Sequence, residues 1–210
     1  MPKKNQFSQT LVLLGLFLLV ATTACTGNST APAPAPGEAD TSETPQSTDN
    51  SAEAPQADDV GLTLTDEGLQ VINLQTGSTT PLAFDTDMAI ALDAVTQILG
   101  EPEETGENSE CPSGPLTIAS WSNGLALNAA DDTFVGWAMR SGDDDTALTT
   151  VSGIGIGSTR QELEETYTVE VMDSSLGVEF SAGDLFGLLT SSEPTGTITN
   201  LWAGVACNFR

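Results

Sequence analysis

Residues Leu116–Met139, LTIASWSNGLALNAADDTFVGWAM, decide the fold. Apolar residues recur through 116–120, 124–128 and 134–139, three short apolar runs that read as strands. Asn123-Gly124 and Asp131-Asp132 separate the three runs. Both pairs tolerate the left-handed backbone that tight hairpin turns demand. The stretch therefore predicts three consecutive antiparallel strands.

Upstream the period changes. Met88, Ala91, Leu92, Val95, Ile98 and Leu99 recur at three- and four-residue spacing, which predicts an amphipathic helix. Asp85 or Thr86 opens it, and Gly100 with Pro102 beyond closes it. Earlier still, Leu62-Thr63-Leu64-Thr65 alternates, Asp66-Glu67-Gly68 turns, and Leu69-Gln70-Val71-Ile72 resumes as the second arm of a hairpin. Residues 101–115, rich in glutamate and proline and holding Cys111, read as a loop.

Downstream the order partly recurs. Residues 149–156 read as a strand, and Ser158-Thr159-Arg160-Gln161-Glu162 has capping-box spacing in two registers, Ser158 to Gln161 or Thr159 to Glu162. Leu163 and Tyr167 share one face of a short helix, and strands follow near 169–172, 177–180, 185–189 and 198–207. Phe84-Asp85-Thr86 lies over Ile156-Gly157-Ser158, and Gly136-Trp137-Ala138 over Leu201-Trp202-Ala203. The prediction is an α+β domain over 60–210: an antiparallel sheet with two helices. It consists of two helix-then-strands repeats, 60–142 and 146–210, sharing that sheet.

The 210-residue chain carries Asp+Glu 30 against Lys+Arg 5, no histidine, and a formal net charge of -25. Without histidine there is no Ser-His-Asp or Cys-His nucleophile and no imidazole metal ligand. A charge this negative repels phosphate backbones, so no nucleic-acid partner is expected. Asp85-x-Asp87 and Asp143-Asp144-Asp145 lack the spaced aspartates and distal glutamate of a calcium loop, so metal and cofactor sites are both read as none. Carboxylate pairs can hydrolyse glycosides, but acidity spread along the whole chain singles out no pair. Gly153-Ile154-Gly155-Ile156-Gly157 lacks the spacing of a phosphate-binding loop and reads as a strand passing close to a neighbour before a helix cap. Trp121, Trp137 and Trp202 read as core anchors on strands. No catalytic residue is assigned.

At the N-terminus, Lys3 and Lys4 precede an apolar run from Leu11 to Val20, and Thr22-Thr23-Ala24 leads to Cys25. This is the build of a secretory signal over 1–24, with an apolar run shorter than the roughly 20 residues of a membrane span. Thr22 to Cys25 resembles the bacterial lipobox, which implies acylation of Cys25 and attachment to a membrane. Residues 25–59, with Ala31-Pro32-Ala33-Pro34-Ala35-Pro36 and no large apolar side chain, read as a disordered acidic tether. Cys111 and Cys207 are then the remaining thiols of an exported chain and are expected to form a disulfide.

Gly68-Leu69-Gln70-Val71-Ile72, Pro81-Leu82-Ala83-Phe84, Glu110-Cys111, Phe134-Val135-Gly136-Trp137, the run from Gly153 to Thr159, and Trp202-Ala203-Gly204 resemble a group of uncharacterised bacterial envelope lipoproteins. Gly157-Ser158-Thr159-Arg160-Gln161 is similar to the helix start in the tandem α/β repeats of β-lactamase-inhibitory proteins and small outer-membrane assembly lipoproteins. These resemblances imply a binding module and not an enzyme. The expectation is a lipid-anchored protein of the bacterial cell envelope, outside the cytoplasm, that binds an envelope protein or cell-wall ligand. An envelope hydrolase working through Asp/Glu, or an inhibitor-like protein blocking another enzyme, stands as the alternative.

Overall fold

The turns form where short polar residues permit them. Gly124 has φ 91, and Asp131 and Asp132 have φ 48 and 61. Both reverse the chain between neighbouring antiparallel strands. The computed structural model describes residues 59–143 and 147–208. The signal, Cys25, nearly all of the tether, Asp144, Asp145 and Arg210 lie outside the described residues.

In chain order the elements are β1 (Val60–Thr65), β2 (Gly68–Asn73), β3 (Thr79–Ala83), α1 (Met88–Leu99), β4 (Glu104–Asn108), β5 (Leu116–Ser120), β6 (Leu125–Ala130) and β7 (Thr133–Arg140). Then come α2 (Arg160–Thr166), β8 (Glu170–Ser174), β9 (Gly177–Ala182), β10 (Leu185–Leu189) and β11 (Ile198–Gly204). Strands β1–β3 form a small antiparallel sheet. The others form one eight-stranded antiparallel sheet in the order β4-β5-β6-β7-β11-β10-β9-β8.

The expected α+β class holds at the level of two helices on antiparallel sheet, but the balance is shifted toward strand and there are two sheets. Three differences from the sequence reading have physical causes. The loop expected at 101–115 contains β4, an edge strand whose Glu104, Thr105, Gly106 and Glu107 are all exposed, so no apolar alternation marks it. The hairpin gains a third strand, β3, an exposed edge carrying Pro81, a residue compatible with sheet edges only. The strand expected at 149–156 is instead a tight turn. Thr150 N–H donates to the Ile154 carbonyl at 2.8 Å around Gly153 (φ 81), leaving only single bridges to Leu64 and between Thr149 and Gly155.

One face of the large sheet is packed. Leu125, Leu127, Phe134, Trp137, Phe180 and Leu201 are fully buried beneath Ala91 and Val95 of α1, Leu163 of α2, and Leu64 and Leu69 of the small sheet. The Trp137 indole N–H donates to the Thr65 carbonyl at 2.8 Å and so ties the small sheet to the centre of the large one.

Each helix is held at its start by the last strand of the four that follow it. Asp87 caps α1, one residue beyond the predicted Thr86, its side chain accepting from Ala89 N–H at 2.8 Å. Thr159 caps α2 in a full capping box with Glu162, so the second of the two sequence registers is the one used. The Thr159 backbone N–H, and then its hydroxyl, hold the Glu162 carboxyl below the ordinary glutamate value.

Ahead of α1, Asp85 N–H donates to Phe134 (2.9 Å), Phe134 N–H to Thr86 (2.8 Å) and Met88 N–H to Asp132 (2.8 Å). Ahead of α2, Gly157 donates to Ile198 (2.8 Å), Ile198 to Ser158 (2.8 Å) and Arg160 to Gly196 (2.7 Å). Asp85 (φ 69) and Gly157 (φ 89) share the left-handed conformation. The bulges also correspond, with the register shifting around Val135 of β7 and around Thr199 of β11.

A clean test of backbone cost follows. A Cβ on Gly157 would meet nothing within 4 Å, so Gly157→Ala is strained by its φ alone. The expected loss is about 1–2 kcal/mol in denaturant unfolding, whereas Asp85→Gly, which relieves the same conformation, is neutral or stabilising.

Candidate functional site

Strand periodicity assigns the opposite face of the large sheet residue by residue. Register places Ala126 and Asn128 of β6, Ala138 and Arg140 of β7, and Asn200 and Trp202 of β11 on that face. Phe186 and Leu188 of β10 extend it on one side and Ile118 of β5 on the other. Neither helix nor the small sheet packs here, because both helices and β1–β3 contribute to the core on the first face. The Phe186 and Trp202 rings stack with centroids 6.3 Å apart and planes 18° from parallel.

Two of the cavities on this surface flank the C-terminal segment. One of about 560 Å³ is lined by Ile118, Asn128, Ala138, Asn200, Trp202 and Ala206 among others. A second of about 470 Å³ is lined by Pro112, Ser113, Phe186, Trp202, Val205 and Ala206 among others. Between them runs the C-terminal segment 205–208. It leaves β11 at Gly204 (φ 67) and folds back across the sheet.

Asn128, 2% exposed, donates its amide to the Val205 carbonyl at 2.9 Å, and Val205 N–H donates to Val135 at 2.8 Å. Gly136 makes the crossing possible, because a Cβ there would overlap the Val205 backbone. Cys111 and Cys207 are joined by a disulfide, S–S 2.10 Å, which fastens the segment to the β4–β5 loop. Asn108 Nδ2 lies 3.5 Å from the Cys207 sulfur.

The tryptophans do not all serve the same core. Trp121 lies just past β5, buried, its indole N–H donating to Gly100 at 2.9 Å. Trp137 lies on the packed face, but Trp202 lies on the opposite one. Gly136-Trp137-Ala138 and Leu201-Trp202-Ala203, laid over each other in sequence, thus put their tryptophans on opposite faces. Counted from the register shifts at Val135 and Thr199, Trp137 stands level with Leu201 and Ala138 with Trp202, and a one-residue slip in a strand exchanges faces.

The remaining predicted residues have structural positions. Asp85 and Asp87 form the turn and cap before α1. Asp143 N–H donates to Ser122 at 2.8 Å. Gly155 passes Leu148 so closely that a Cβ would lie 2.8 Å from its carbonyl oxygen, the close approach expected of the glycine run. Arg160 pairs with Glu164 at 2.6 Å and also donates to the Ser192 carbonyl. Among the described residues, no three Asp, Glu or Cys side chains gather in a metal-holding arrangement.

Asn128, Arg140 and Asn200 were not singled out by sequence reasoning. Their signal is alternation: Ala126-x-Asn128, Ala138-x-Arg140 and Asn200-x-Trp202 each put a polar or aromatic residue on the face opposite the buried leucines. Arg140 is exposed on this floor and carries a charge rare in so acidic a chain. Apolar and amide side chains fill the middle of the floor, with Ser120 and Glu104 toward one edge and the buried Glu179 beside Leu188 toward the other, an arrangement that binds by area and hydrogen bonding. No known protein family, curated protein or solved structure matches the chain.

Proposed function

We propose that this chain is a lipid-anchored binding module of the bacterial envelope, outside the cytoplasm, whose ligand seats on the open face of the eight-stranded sheet. One observation carries the reading: a broad sheet with one face fully packed leaves the other with stacked aromatics, apolar side chains and two cavities. The ligand class that suits it is an envelope protein surface or a cell-wall component. Acylation at Cys25 would hold the module at a membrane, and the acidic stretch 25–59 would space it from the lipid.

The two helix-plus-four-strand units are further proposed to be tandem repeats joined along β7 and β11. Support comes from the shared left-handed residue before each helix, the three corresponding backbone bonds and the corresponding bulges. Asp85 stands where the second unit has Gly157, and aspartate is among the few residues that accept that conformation.

Cys25→Ser tests the anchor. The expected result is movement of the protein from the membrane pellet to the soluble fraction, with its fold unchanged by circular dichroism. Retention in the pellet would overturn it.

A further inference from the structure

We propose that residues 205–208 form a redox-controlled strap over the open face. With the Cys111–Cys207 disulfide closed, the strap divides that face into two cavities; with it reduced, its far half, residues 206–208, lifts and the cavities merge around Trp202. Three observations place the strap. Its backbone lies on Gly136, its Val205 carbonyl takes the buried Asn128 amide, and it separates cavities that share Trp202, Ala206 and Asn208.

Among the described residues, the hydrogen bonds from the strap to the sheet end at Val205. Beyond it, Asn208 N–H donates within the strap, to Ala206 at 3.0 Å. The disulfide is the covalent tie of this far half, backed by the weak Asn108 contact to the same sulfur. A dithiol reductant breaks the S–S bond, supplies the two electrons and two protons that make Cys111 and Cys207 thiols, and closes to its own disulfide. Residues 206–208 are then held by little, and Trp202, 6% exposed under the closed strap, becomes accessible. The consequence for ligand binding rests on the open-face reading above; the strap motion does not.

The experiment reads the strap without any ligand. Hydrogen exchange and acrylamide quenching of tryptophan are compared in oxidised and dithiol-reduced full-length protein. Reduction is expected to speed exchange in 206–208 roughly ten-fold or more while Val205, β6 and β7 stay protected. Quenching should rise through Trp202 alone, since Trp121 and Trp137 stay buried.

Gly136→Ala supplies a second variant with the disulfide intact. Its methyl displaces Val205 and should raise Trp202 quenching without reductant. Unchanged exchange in 206–208 after reduction would overturn the proposal. So would loss of protection in every strand together, or a Gly136→Ala protein as shielded as wild type.

Discussion

Trp137→Ala is expected to lower the free energy of unfolding by about 3–5 kcal/mol, read as a fall in urea midpoint at unchanged slope. The side chain is fully buried at the centre of the large sheet, where β7 meets β11 and where α1 and the small sheet both pack. Removing it leaves a cavity that rigid strands on either side cannot close, and it orphans the Thr65 carbonyl. Trp137→Phe separates the two costs. It keeps much of the volume and loses the hydrogen bond, so the expected loss is nearer 1–3 kcal/mol. Ile90→Ala, on the exposed side of α1 at 59%, is the matching control and should stay within about 0.5 kcal/mol. Equal effects at Trp137 and Ile90 would contradict the packed-face assignment.

Much of this architecture was legible because its cause was local. Apolar runs parted by Asn123-Gly124 and Asp131-Asp132 mark β5 to β7, and three-four spacing marks α1, which has one wet and one dry side. β4 was not legible. Its Glu104, Thr105, Gly106 and Glu107 meet water on both faces, and their place in the sheet comes from pairing with β5, a partner no local pattern announces. The turn around Gly153 failed for the opposite reason, since alternating Gly and Ile imitates a strand while φ 81 at Gly153 turns the chain back.

The candidate site was half legible. The Cys111–Cys207 pairing follows from counting thiols, but the strap it creates depends on Gly136 lying under Val205, a contact 69 residues apart in sequence (205 minus 136). Trp202 is buried on a strand as expected, but its face comes only from register, because a strand shifted by one residue still looks like the same strand. The pairing of Trp202 with Ala138, beside Leu201 with Met139, fixes the phase.

The second large effect concerns the open face itself. A photo-reactive side chain in place of Asn200 lines the larger cavity, whereas one in place of Asp93 stands on the exposed side of α1. If ligand seats on the sheet, the two positions differ completely and not by degree, because a cross-linker reaches only what touches it. Competing for the same surface, Ala138→Glu puts a charge on the apolar floor beside Asn200 and Trp202. It should cut adduct yield from the Asn200 position at least about ten-fold, since a desolvated unpaired carboxylate costs more than the 1.4 kcal/mol that factor represents.

Illumination of intact envelopes carrying these variants is the most direct measurement. The account predicts a discrete covalent adduct from the Asn200 position, abolished by Ala138→Glu, and none from the Asp93 position. Adducts from Asp93 with none from Asn200 would contradict it.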